Sequence, residues 1–151
     1  MSGDRVPDLS GLTGLSLIVL SGEFSRVHYA LSMAAAAAAI DRKAILFFTN
    51  HALYALAKGD AAGPGWHRLE ADAAGKSATL QDGELRGKGV AGFAELFDAC
   101  IELDVRIIAC EMGLRAVGLT PADLRPELKT EIAGLVTLYA GTSSDAQLVV
   151  I

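Results

Sequence analysis

The chain has 151 residues, 52% of them hydrophobic and 21% charged, with a formal net charge of -5. This length suits one domain able to bury roughly 68 to 70% of its unfolded surface, and an acidic balance gives no electrostatic footprint for nucleic acid. The longest apolar stretch, Leu31 to Ile40 with six alanines from Ala34 to Ala39, falls short of the ~20 residues that cross a bilayer, so no membrane partner is expected. The opening Met-Ser-Gly-Asp-Arg-Val-Pro-Asp is polar and turn-rich rather than basic-then-apolar, which predicts a flexible N-terminus over residues 1–13 and, by default, a cytoplasmic location. A mean hydropathy of +0.38 is a mild sign that identical subunits cover some apolar surface.

Apolar runs of strand length occur at Leu15 to Leu20, Ala44 to Phe48, Val105 to Ala109 and Leu135 to Tyr139, and Leu148 to Ile151 closes the chain. Helical segments lie between them. Ser25 to Asp41 is rich in alanine, suited to close packing on a sheet, and Gly92 to Leu103 places Phe93, Leu96, Phe97, Cys100 and Leu103 on one apolar stripe. Alternating strands and helices predict an α/β domain whose mainly parallel sheet carries helices on both faces, a three-layer sandwich. Gly59 to Gly89 breaks this rhythm. Gly and polar residues dominate there, Asp82-Gly83 reads as a tight turn between Thr79-Leu80 and Glu84-Leu85, and the segment is expected to be a loop insert over 59–90. Within it, Trp66 and His67 either cover a site, pack on a neighbouring molecule, or serve simply as a local anchor.

The carboxyl ends of parallel strands are where open α/β sheets keep their ligands. On this plan they gather Ser21, Gly22 and Glu23, then Asn50 and His51, then Cys110, Glu111 and Met112, then Gly141 and Thr142, into one crevice. The centre of interest is Cys110, placed where a strand runs out into a helix whose N-terminal dipole favours a thiolate. The alternative is a strand-end cysteine that only packs. Glu111 either raises the thiol pKa or exchanges protons with it, and His51 either pairs with the sulfur or caps a turn. Cys100, on the helical stripe, reads as a small buried hydrophobe, and His28 as a core-edge residue. From Cys100 the helix descends ~4.5 Å and the next strand climbs ~16 Å, too far for a disulfide whose Cα atoms approach within ~7 Å. Two cysteines without CxxC spacing and three scattered histidines form no zinc motif, so no metal is expected. P-loop, HExxH and GxSxG motifs are also missing, and no GxGxxG follows the first strand.

Three stretches, Leu17-Ile18-Val19-Leu20-Ser21-Gly22-Glu23, Ala44-Ile45-Leu46-Phe47-Phe48-Thr49 and Ala109-Cys110-Glu111-Met112-Gly113-Leu114 with Val117-Gly118-Leu119, resemble the DsrE/DsrF-like family of small sulfur-carrier proteins. Ala133 to Tyr139 is similar to the family's strand before its last short helix. The likeness covers the chain except the first dozen residues and Gly59 to Gly89. It implies about five mainly parallel strands, assembly into oligomers, and passage of sulfane sulfur between donor and acceptor proteins through a persulfide on the matching cysteine, Cys110, with no cofactor. The function expected is thus a sulfur carrier or sulfurtransferase subunit. The alternatives are a peroxide-responsive thiol protein using Cys110, which needs a resolving thiol from another chain, and a non-catalytic assembly module whose crevice holds a small anion or nucleotide.

Overall fold

A computed structural model describes residues 13–151. The expected flexible N-terminus lies outside those residues apart from Thr13. The elements run β1 (Gly14–Val19), α1 (Phe24–Ala39), β2 (Lys43–Phe48), α2 (Ala78–Gly87), α3 (Phe93–Glu102), β3 (Arg106–Cys110), α4 (Glu111–Val117), β4 (Glu131–Ala133), α5 (Leu135–Gly141) and β5 (Gln147–Val150). Short 3-10 turns at Asn50–Leu56, Gly65–Arg68, Pro121–Asp123 and Pro126–Leu128 fill the connections. The five strands form one sheet in the order β4-β3-β2-β1-β5, and every pairing is parallel. The expected single-domain α/β sandwich is therefore the fold of this chain.

The two faces of the sheet are built unequally. Leu15, Leu17, Val19, Leu46, Phe48, Ile107 and Ala109 point to one face, where they pack with α1, α3 and the Trp66 turn into the main core. Ala30, Ala34 and Ala37 are buried on the sheet-facing side of α1, so its alanines serve close approach, while Phe24, Phe93 and Phe97 supply bulk at ~1.5–3 kcal/mol for each large apolar side chain buried. On the opposite face a smaller cluster joins Ile45, Phe47, Ile108 and Cys110 to Leu138 of α5, with Ile18 and Ala133 at its margin.

The observed β1, β2, β3 and β5 match the expected runs to within a residue or so, but Leu135 to Tyr139 is not a strand. It is the helix α5. A five-residue β-branched and aromatic run is ambiguous by periodicity, and topology decides it. β4 and β5 are parallel and lie at opposite edges of the sheet. The chain must cross a whole face and return to the amino end before β5 can begin, and α5, ~10 Å long, makes that crossing. Gly134 opens it, and the Thr142 hydroxyl closes it by donating to the Leu138 carbonyl at 2.8 Å while receiving the Ser16 hydroxyl at 2.7 Å. The fourth strand is instead Glu131–Ala133, three residues with little pattern to read.

The segment 59–90 is also more ordered than a loop insert. Ser77 caps α2 by accepting the Leu80 N–H, and Asp82-Gly83, read as a turn, lies inside that helix. Asp82 is buried and accepts the Phe93 N–H at 2.7 Å while pairing with Arg86 at 3.1 Å. It thus caps α3, whose own N-cap residue is the side-chain-free Gly92. Trp66 is a core residue, its ring stacked on Phe93 with centroids 4.9 Å apart. His28 is buried at the core edge, its Nε2 donating to the Ala91 carbonyl at 2.9 Å.

Candidate functional site

Cys110 is the last residue of β3 and the N-cap of α4, with φ -66° and ψ 119°. Its Sγ accepts the Gly113 N–H at 3.4 Å, and only 2% of the residue is exposed. The junction is set by local sequence. Ile107, Ile108 and Ala109 continue the buried strand, and Gly113 then allows α4 to turn against the end of β2. A Cβ at Gly113 would stand 2.7 Å from the Asn50 amide and closer still to the Thr49 hydroxyl, so the helix seats only because this position has no side chain. Gly113 and the buried Thr49 are therefore part of the cysteine's setting. The sequence signal for them was the Cys-x-x-Gly step itself, where only a glycine permits such an approach.

The neighbouring strand ends line up beside it. Asn50, in the left-handed region at φ 50°, starts the 3-10 turn after β2, and His51 follows on the surface. His51 lies against Gly22, where an added Cβ would meet its Cβ at 2.5 Å and Glu70 at 3.1 Å. Glu23 and Glu70 form a parallel bridge, the Glu70 N–H donates to the Gly22 carbonyl at 2.8 Å, and the Ser21 hydroxyl accepts the Glu23 N–H at 3.2 Å. Ser21, Gly22, Glu23, Asn50 and His51 thus follow the carboxyl ends of β1 and β2, at the same end of the sheet as Cys110. His51 makes no hydrogen bond to the thiol. Glu111 is exposed and pairs with Arg115 at 3.6 Å on the surface of α4, and Met112 is exposed as well.

Gly141 and Thr142 are elsewhere. Because α5 runs back down the sheet, they line a small cavity with Gly14, Ser16 and Lys43 at the amino ends of β1 and β2, the opposite end of the strands from Cys110. Their assignment to the crevice followed from reading Leu135 to Tyr139 as a strand.

The two thiols differ in what their hydrogen bonds require. Cys100 donates its S–H to the Leu31 carbonyl at 3.4 Å from inside the α1–α3 interface, and burial pushes its pKa up to about 11, with the Ala35 backbone pulling weakly the other way. Cys110 is an acceptor, leaving its proton free of any structural duty. Both cysteines are unpaired and sit in different core clusters on opposite faces of the sheet. Among the described residues no group of three or more His, Cys, Asp or Glu is placed to hold a metal, and no helix is long and apolar enough to cross a membrane.

A fully parallel α/β domain with one cysteine at a strand-to-helix junction defines the class. Within it, the chain belongs to the DsrE/DsrF-like family, whose model matches residues 17–150, nearly the entire sequence. That family is associated with sulfur relay. No curated protein matches the chain.

Proposed function

We propose that this protein is a sulfur carrier or sulfurtransferase subunit that holds sulfane sulfur as a persulfide on Cys110. The observation that carries this reading is the Cys110 sulfur itself, which ends an interior strand, caps α4 and accepts an N–H from Gly113. Loading begins when the Cys110 thiolate attacks the outer sulfur of a donor persulfide. A new S–S bond forms, the donor's S–S bond breaks, and the donor cysteine leaves with the electron pair as thiolate. In delivery an acceptor thiolate attacks the outer sulfur and Cys110 departs as thiolate. The exchange is balanced, so it requires neither cofactor nor external oxidant. A reducing cytoplasm suits it, because the carrier thiol must be free at the start of each cycle.

Access to the sulfur requires α5 to yield, since Leu138 packs in the same cluster as Cys110. α5 is lightly held: Leu138 is its one fully buried residue, whereas Val136 is 82% and Tyr139 56% exposed. On the same face Leu148 and Val150 of β5 are also exposed. This apolar surface supports a homo-oligomeric state, with a second copy covering α5 and β5. Light scattering after size exclusion is expected to show more than one chain per particle, and Val136→Glu to lower that mass. A wild-type monomer at tens of micromolar would remove the oligomer from this reading.

The decisive test is intact mass of the reduced protein after brief exposure to polysulfide or a persulfidated donor. A reducible gain of one sulfur atom is expected in wild type and Cys100→Ser and is expected to vanish in Cys110→Ser. No adduct, or an adduct that survives Cys110→Ser, would sink the proposal.

A further inference from the structure

The outer edge of β4 carries a cavity of about 290 Å³ that owes nothing to Cys110. It is bounded by Leu124 and Ile132 and lined by Lys58, Arg125, Lys129 and Thr130. Ile132 pairs with Ala109, on the main-core face, whereas Cys110 points to the other face. The protein is acidic overall, yet no carboxylate residue lines this space.

The cations here form no close ion pairs. Among the described residues Arg26, Lys76, Arg86, Arg106 and Arg115 each pair with a carboxylate within 4.0 Å, but Lys58, Arg125 and Lys129 pair with none. The nearest acids are committed elsewhere or act only at longer range. Asp123 receives the Thr120 N–H at 2.8 Å and its hydroxyl at 3.0 Å and acts on Lys58 through its charge, while Asp98 and Glu127 influence Arg125 without an ion pair. Arg125 is half-buried, held by its N–H to the Leu56 carbonyl at 3.0 Å, with its guanidinium 5.0 Å from the centre of the Phe97 ring. Burial pulls its pKa down, against the smaller opposing pull of the Glu127 and Asp98 charges. Thr130 Oγ1 is buried and has no hydrogen-bond partner. Unmet donors and acceptors of this kind are rare in folded proteins.

We infer that this cavity binds a small, multiply charged oxyanion of the phosphate or sulfate class. Such an ion brings several acceptor oxygens to three cationic side chains, and the cavity holds many times the ~30 Å³ share of a water molecule. The Arg125 fork suits two oxygens at once, whereas the lysines act as point charges. The inference stands apart from the persulfide reading, and either can fail alone.

The test is a titration of the full-length ¹⁵N-labelled protein with inorganic phosphate and, separately, with sulfate, ionic strength being held constant with chloride. Saturable amide shifts centred on Arg125, Lys129 and Thr130 are expected. The double substitution Lys58→Gln with Lys129→Gln, which keeps the aliphatic stems, is expected to raise Kd at least tenfold. The circular dichroism spectrum of the double variant is expected to match wild type. The stronger of the two anion responses identifies the preferred class. Linear, non-saturating shifts, an equal response to chloride, or wild-type affinity in the folded double variant would overturn the inference.

Discussion

Cys100 and Cys110 are almost equally hidden, at 0% and 2% exposure, yet they occupy opposite chemical situations. Cys100 is a donor locked between two long helices and held protonated by burial. Cys110 is an acceptor at the end of a strand, in a small cluster shared with a seven-residue helix, α5, that has a single fully buried side chain. Exposure alone would not separate them. The polarity of the hydrogen bond and the strength of the cover do, because a reactive thiol needs a dispensable proton and a route that opens without unfolding the domain.

The largest expected effect tests that difference directly. At pH 8 under native conditions, a small alkylating reagent should modify Cys110 at least ~100-fold faster than Cys100, as read by peptide mass mapping, because a thiol with pKa about 11 has only ~0.1% thiolate there. Equal rates would break the contrast. A second experiment sharpens it by attacking the support of one thiol alone. Gly113→Ala should cost about 2–4 kcal/mol in denaturant unfolding, since the added methyl meets backbone at Asn50, and should lose persulfide loading even where the protein still folds. Unchanged stability would mean α4 can move aside and does not depend on that close seat.

The smallest effect concerns the inert thiol. The folded pKa of Cys100 lies above its ordinary 9.0, so the folded state holds that proton more tightly than the unfolded chain. Its contribution is fully present below about pH 9 and is lost as pH rises through about 11. Unfolding free energy should therefore fall by about 2 kcal/mol more in wild type than in Cys100→Ala over that window. Parallel curves for the two proteins would show that Cys100 is not held as the structure places it.

Much of this arrangement was written in the sequence in readable form. The runs at Leu15, Ala44 and Val105 are too apolar and β-branched to be much else, and the alanines of α1 announce a helix that packs closely. The strand-to-helix position of Cys110 followed from the same pattern. Three features escaped for separate reasons. Leu135 to Tyr139 has strand composition, but a parallel crossover between opposite edges demands a helix there, and this long-range constraint moved Gly141 and Thr142 away from the site. Glu131–Ala133 is too short to carry a period. Asp82-Gly83 looks like a turn until Asp82 finds the Phe93 N–H, a contact eleven residues away that no local rule contains. Gly113 was visible as a residue, but its need for a bare Cα only becomes plain once Thr49 and Asn50 are beside it.

The crossing of α5 also fixes an order of events during synthesis. β1 emerges first, but one side of it stays unpaired until β5 arrives, when Ile18 at last meets Val150 and the Ile151 N–H reaches the Ile18 carbonyl at 2.9 Å. β2 and β3 can join β1 long before that, so the nascent sheet grows in one direction and waits at the other edge. Until β5 is made the chain presents the bare rim of β1, a row of hydrogen-bonding groups open to any passing strand. β5, the last strand of the sheet in chain order, is the one that closes it.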